Sequence, residues 1–423
     1  NLVFLGTELG LYVTTNAGKK WFKWDQGVPT VSVMDMAIQQ RENDLVLGTH
    51  GRSIFIIDDY SALRGLNDKT FNQELALLSV SDGQQYTASR APSTRFWGDA
   101  SYVGDNETYG VVLTVMVAGD YLEHPDTKKN KAQQIFKRKQ EKIAQEKNKG
   151  KDNKNKTSEK EKSTNKARIE VRDASGKLIR TFVTKLQQGV NRIVWNMASD
   201  GAKRMPGNEP QEDNDILPAG PEVIPGEYQI KVMLNEHEFD TTAQVLADPR
   251  YDVSQADLAE NYQLRRQTTE LFSTLAEAAS RLSDSKKDIE LVKKVAESAL
   301  AKVEGEKAKT DHPAKALVES AKSLLDKIAE IDKSLRTQPD TKGIVDTSYK
   351  VASHIGMASY YIGSAYGKPS PTALKYLTKA KIKLKVGVEK VNGFLANDLA
   401  KFKTEFAQSG LSLLSTLELV KVD

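Results

Sequence analysis

The 423-residue sequence contains no cysteine, so neither a disulfide framework nor a thiolate metal site can be built from it. It has only five histidines, none at HxxxH or HExxH spacing, the arrangements that place two imidazoles together around a metal. No metal site and no cofactor are expected. No apolar run approaches the ~18–20 residues that a membrane-spanning helix needs, so no transmembrane segment is expected either. At 39% hydrophobic and 28% charged residues the composition is that of a globular chain, long enough for two to four domains of ~100–200 residues each.

The net charge of +4 hides an asymmetry. Residues 127–167 hold 15 Lys/Arg against 5 Asp/Glu, a local net of +10 that leaves −6 for the rest. The first half of this tract has helix-forming composition, and the second is rich in Lys, Asn, Ser and Glu and reads as disordered. A solvated insert, a basic contact with an anionic lipid or polysaccharide surface, and a nucleic-acid contact are the three readings. Phe136 is the sole aromatic in the tract, so the stacking platforms of single-strand binders are missing and nucleic acid is not expected as a partner.

The first 60 residues repeat. Residues 2–15 and 44–58 each run through an apolar strand ending in Leu-Gly-Thr, a tight loop, and a second strand of β-branched and aromatic residues. The two tripeptides, at Leu5 and Leu47, lie 42 residues apart. A period of about 40–45 with several strands per unit is the signature of propeller blades. Residues 2–7, 10–15 and 20–24 read as strands two to four of one blade, and 33–38, 45–49 and 53–57 as strands one to three of the next. A ring needs about 4–8 blades, so the chain is expected to be the C-terminal portion of a longer protein.

Between two strands of the first unit lies Thr14-Thr15-Asn16-Ala17-Gly18-Lys19-Lys20-Trp21. This resembles the Asp-box, Ser-x-Asp-x-Gly-x-Thr-Trp, of BNR repeats. Thr14, Gly18 and Trp21 match, Asn16 stands for the Asp, and Lys20 for the Thr. The box is a structural device: an Asx side chain bonds a tight turn, Gly accepts positive φ, and Trp packs between sheets. With Gly-Thr-His-Gly-Arg-Ser-Ile-Phe following at blade spacing, the segment resembles the last blades of the sortilin-like, BNR-repeat "glycosyl hydrolase" propellers of bacteria, Bacteroidetes-type secreted proteins in particular.

Residues 1–70 are therefore expected to be final blades of a β-propeller and 71–110 a connecting segment. In the latter, Phe96, Trp97 and Tyr102 read as packing groups at a joint. Short strands separated by Gly/Pro turns over residues 111–250 argue an antiparallel sandwich. The stretches around Gly189 and Pro225 resemble Ig-like (fibronectin-like) accessory domains. The Lys-rich tract is then an insertion at 122–167, in a hairpin loop between the first two strands. From residue 251 to 423 the pattern becomes helical. Ser254-Gln255-Ala256-Asp257 is close to a capping box, Ser285 reads as the start of a further helix, Gly305 as a C-cap, and Ser370-Pro371 as an N-cap before an N1 proline. Amphipathic stripes of this kind build antiparallel bundles. The fold class is mainly β followed by α.

Propeller ligands bind on the face opposite the Asp-boxes, which makes Glu8, His50 and Arg52 the ligand-facing loop candidates, with Thr14, Asn16, Gly18 and Trp21 structural. Glycoside hydrolysis normally needs two carboxyl groups ~5–9.5 Å apart, and no such pair can be placed from the sequence, so no catalytic residue is assigned. The sialidase class, as the resemblance implies, gathers arginines from several blades around a Tyr nucleophile, and only Arg52 is a credible member here. Two functions follow. One is a non-catalytic binding or scaffold module for a glycan, a peptide or an envelope protein complex, secreted, periplasmic or associated with the outer membrane. The other is a sialidase-like glycoside hydrolase whose site lies mostly in further blades. Deleting residues 128–166 is expected to leave folding intact, and a large drop in melting temperature would contradict the insertion.

Overall fold

The computed structural model describes residues 1–67, 69–70, 73–87, 107–118, 165–207, 216–303, 312–337, 343 and 345–413, with single positions between 122 and 139. It divides into two compact units, Asn1–Ala198 with Pro225–Arg250, and Ser199–Ile224 with Tyr251–Asp423. The first is built of β-sheets and the second is mainly helical, so the β-then-α order read from the sequence holds.

The first unit opens with two three-stranded antiparallel sheets. One is β1 (Val3–Thr7), β2 (Gly10–Thr14) and β3 (Phe22–Trp24); the other is β4 (Val33–Gln39), β5 (Asp44–Thr49) and β6 (Ile54–Ile57). The repeated Leu-Gly-Thr does the same work twice. Thr7 Oγ1 donates to the Gly10 carbonyl at 2.9 Å and Thr49 Oγ1 to the Ser53 carbonyl at 2.6 Å, each closing the turn into the next strand. Because side chains alternate across a strand, each sheet has two faces. Leu11 of the first and Val33, Leu45 and Leu47 of the second are buried in one shared core, bordered by Phe4, Trp24, Met36, Phe55 and Ile57.

Helix α1 (Ser61–Gly65) then leads to β7 (Leu75–Ser81). A Cβ on Gly65 would lie 2.6 Å from the Leu78 carbonyl oxygen, so only glycine permits this approach. Next come β8 (Gly83–Gln84), β9 (Val111–Val117), β10 (Lys166–Asp173), β11 (Leu178–Lys185) and β12 (Gly189–Trp195). After β13 (Ala198–Asp200) and β14 (Ala219–Glu222) follow β15 (Gly226–Leu234) and β16 (His237–Leu246). β13 and β14 pair only with each other; the other eight form a three-stranded sheet, β12-β9-β7, and a five-stranded one, β11-β10-β15-β16-β8, in which only β16 and β8 pair in parallel. Trp195 of one sheet meets Tyr228 of the other edge to face at 5.1 Å.

Four sequence expectations change here. The segment 71–110 is more than a connection, because β7 pairs with β9 and β8 with β16. The basic tract does not sit in a hairpin loop: β9 already has β7 and β12 on its two edges, so β10 pairs in the other sheet. The insertion also ends before 167, since Lys166 opens β10, Ala167 is fully buried, and the Asn165 carbonyl accepts from Leu186 N–H. The deletion therefore properly stops at 164. Finally, the described residues 199–207 and 216–224 group with the helical unit rather than with the sheets. Most of the basic tract, together with Phe96, Trp97, Tyr102 and Gly305, lies outside the described residues.

The second unit contains α2 (Gln255–Ala301), α3 (Pro313–Leu335), α4 (Val351–Gly363) and α5 (Pro371–Gly393), the last continued by a π-turn (Phe394–Leu399) into α6 (Ala400–Gln408). Ser254 Oγ caps α2 by accepting from Asp257 N–H, and Ser370 Oγ caps α5 by accepting from Ala373 N–H. Ser285 starts no new helix. Its hydroxyl donates to the Arg281 carbonyl one turn back, so the residue is absorbed into a single 47-residue helix. Leu282 and Ile289 of α2, Leu317 and Ile328 of α3, Ile355 of α4 and Leu384 of α5 share one core. Buried Asn261 on α2 shares the two N–H groups of its side-chain amide among the carbonyls of Ile362, Ala365 and Gly367, holding the α4–α5 turn. Among the described residues no helix is long and apolar enough to cross a membrane.

At the end of the β unit the Asp248 carboxylate is buried. It accepts from Arg250 Nε at 2.8 Å, Arg250 Nη2 at 2.6 Å and Thr87 N–H at 3.2 Å. The guanidinium holds this carboxyl well below the usual carboxylate range, against the opposite pull of burial. A depressed native pKa means that the stabilisation is complete above the unfolded value of about 3.9 and is lost as pH falls through the native value. Asp248→Asn is expected to lower the melting temperature at pH 7, with the gap to wild type narrowing below about pH 4. Thermal scans at pH 7 and pH 2.5 check this; a gap of constant size would remove the linkage.

Candidate functional site

The turn after β2 is organised by two side chains. Thr14 is fully buried, and its Oγ1 accepts from Asn16 N–H at 3.3 Å and Gly18 N–H at 3.1 Å while donating to Asn16 Oδ1 at 3.0 Å. Asn16 Oδ1 in turn accepts from Lys20 N–H at 2.9 Å. Gly18 sits at φ +87°, the region glycine enters without steric cost. The turn uses one acceptor oxygen at position 16 and only a backbone N–H at position 20.

Trp21 departs from expectation. It is 39% exposed rather than packed between two sheets, and it borders a groove of about 490 Å³. Leu5, Thr7, Glu8, Leu9 and Tyr12 complete the lining. Leu5 and Tyr12 face each other across β1 and β2, so the groove lies on the face of the first sheet turned away from the shared core. The second sheet has a matching outer face, where Ile54 and Ile56 are 64% and 58% exposed.

Glu8 lies in the β1–β2 turn, and His50 and Arg52 in the β5–β6 turn. These are equivalent positions of the two repeats, and all three residues are exposed. Only Glu8 borders the groove. The His50 backbone N–H donates to the Ser32 carbonyl at 3.0 Å, and the Thr49 hydroxyl closes the turn. Glu8 is the one carboxylate in the lining, short of the pair that glycoside hydrolysis normally needs. Among the described residues no cluster of three or more His, Asp or Glu could hold a metal ion.

Two features escaped the sequence reading. The apolar outer faces, one of which carries the groove, were signalled by the runs Val3-Phe4-Leu5 and Ile54-Phe55-Ile56-Ile57: consecutive apolar residues in a strand place apolar groups on both faces. The other is a group of carboxylates around Glu107. Partial burial raises its pKa, followed by the nearby charges of Glu42 and Asp44, with Arg41 opposing. No spacing in the sequence could join residue 107 to residues 42 and 44.

No family model matches this chain, and no curated protein and no solved structure matches it either.

The two faces of the first sheets should differ sharply in energetic weight. Leu47→Ala, at full burial, is expected to cost about 2–5 kcal/mol. Leu5→Ser combined with Ile56→Ser should stay within about 0.5 kcal/mol per site. Urea denaturation of the three proteins measures both, and a large loss in the double variant would mean that the outer faces are covered in solution.

Proposed function

We propose that residues 1–67 are two adjacent blades of a BNR-repeat, sortilin-like β-propeller, and that the chain is the C-terminal portion of a secreted or cell-envelope protein that binds rather than cleaves its ligand. One observation carries this reading. Two sheets of like topology pack face to face, and each turns a second apolar face outward, at Leu5 and Tyr12 on one side and Ile54 and Ile56 on the other. A blade inside a ring is covered on both faces by its neighbours, which accounts for apolar residues on both sides of β1 and β6. The turn network of Thr14 and Asn16 supports the same assignment. The β7–β16 sheets are, in this reading, an Ig-like accessory module, and the helices a bundle that completes a scaffold.

The ligand surface is assigned to the turns carrying Glu8, His50 and Arg52, whose side chains are exposed. Their mixture of one acid, one imidazole and one guanidinium suits hydrogen bonding to the hydroxyls and carboxylates of a glycan or to an extended peptide. Of the three turn residues only Glu8 is a carboxylate, short of the pair that hydrolysis normally needs, and this favours binding. Screening the protein on glycan and peptide arrays is expected to yield a ligand whose affinity falls at least about ten-fold, or 1.4 kcal/mol, in the Glu8→Ala/His50→Ala/Arg52→Ala variant. Turnover of a glycoside by wild type that disappears in Glu8→Gln or Arg52→Ala would replace this reading with the hydrolase.

A further inference from the structure

Charge is evenly mixed on the long helices of the second unit, with one exception. The α2 sequence carries seven Lys/Arg and eight Asp/Glu, and α3 four of each. The α5 sequence carries six lysines and one glutamate. All six (Lys375, Lys379, Lys381, Lys383, Lys385 and Lys390) are exposed. Lys385 lies 4.0 Å from Glu389, and Lys381 donates to Gln267 Oε1 at 2.8 Å. For Lys375, Lys379, Lys383 and Lys390 the described residues supply no ion pair. The positive field of Lys379 and Lys383 reaches His354 on α4, which burial first, and then these two ammonium groups, hold toward its neutral form.

Large apolar side chains stand exposed among these lysines. Leu374, Ile382 and Val386 are 40%, 59% and 46% exposed. They fall on one row of the helix with Thr378 and Lys390, at spacings of four. Lys375, Lys379 and Lys383 form the adjacent row on one side, and Lys381 and Lys385 border the other. The buried side of α5, with Leu377, Ala380, Leu384 and Val391, is already spent on the core, so the outer apolar row is not needed for folding. At the edge on α4, Tyr361 stacks on Tyr376 of α5 at 4.5 Å, and Tyr360, 67% exposed, packs edge to face on Tyr361.

We propose that the outer face of α5, with Tyr360 at its margin, docks on an anionic lipid surface. A central apolar row flanked by lysines is the geometry that lets aliphatic groups enter the acyl boundary while the ammonium groups remain among the headgroups. Tyrosine suits the same depth, with an apolar ring and a polar tip. A soluble polyanion would use the lysines and gain nothing from Ile382 and Val386, and this decides for the bilayer. The inference stands apart from the propeller assignment and from the basic tract at 122–167.

The test is co-sedimentation of the full chain with vesicles of phosphatidylcholine alone or containing 30% phosphatidylglycerol, roughly the anionic charge of a bacterial or cytoplasmic leaflet. Wild type is expected to partition onto the anionic vesicles and not the neutral ones, with binding reduced by high salt. Lys375→Glu/Lys379→Glu/Lys383→Glu and Ile382→Ser/Val386→Ser should each lose at least about ten-fold in partitioning, a change of 1.4 kcal/mol or more. All five positions are exposed, so circular dichroism and melting temperature should match wild type. Absence of wild-type binding, or wild-type partitioning in both variants, would overturn the proposal. Loss in the lysine variant alone, together with equal competition by heparin, would make the face a general polyanion site instead.

Discussion

The packing of Leu11 against Leu45 and Leu47 is the contact on which the first part of the molecule depends. These side chains are at or near zero exposure, and each fully buried aliphatic group of this size contributes about 1.5–3 kcal/mol. They hold two small sheets together that could not persist singly, since a few short strands without a covered face are marginal in water. The contact also decides which face of each sheet is left over. Once Leu11, Leu45 and Leu47 turn inward, the period-two alternation turns Leu5, Tyr12, Ile54 and Ile56 outward. The groove beside Trp21 and the exposed turns of Glu8, His50 and Arg52 are consequences of that choice.

The remaining sheets solve a different problem. β9 is apolar except for Thr114, and its side chains at 111, 113, 115 and 117 are fully buried. With β7 and β12 on its edges it has no ladder left to offer, so the chain leaves this sheet and β10 begins in the other. Strand-edge saturation therefore explains why the long basic tract joins two sheets instead of closing a hairpin. In the helical unit the organising groups are polar as well as apolar. Asn261 shares its two side-chain N–H groups among three carbonyls at and just after the end of α4, where terminal carbonyls lack intrahelical partners.

A good part of this was legible in the residues. The Leu-Gly-Thr repeat at 42-residue spacing marked two like units, and the structure gives both threonines the same turn-closing bond. Ser254 and Ser370 were readable as caps because an N-cap is a local device, needing only a side-chain oxygen and an N–H three residues on. Ser285 had the same local appearance and became helix interior. The flanking stripe of Leu282, Ile289 and Val292 is buried on α3 and its neighbours as one continuous face, and packing of that face outweighs a weak local preference.

Composition, the repeat, the turn chemistry of Thr14 and Asn16 and the change from period two to helical spacing were settled by the amino-acid sequence, because each depends on groups within a few residues of one another. Tertiary structure alone decided which face of β1 and β6 would be covered, which sheet β10 would join, that Glu107 would stand beside Glu42 and Asp44, and that the lysine-rich side of α5 would point outward. Those outcomes depend on which distant surface reaches a side chain first, and a linear pattern that marks a face as apolar or charged carries no record of its partner.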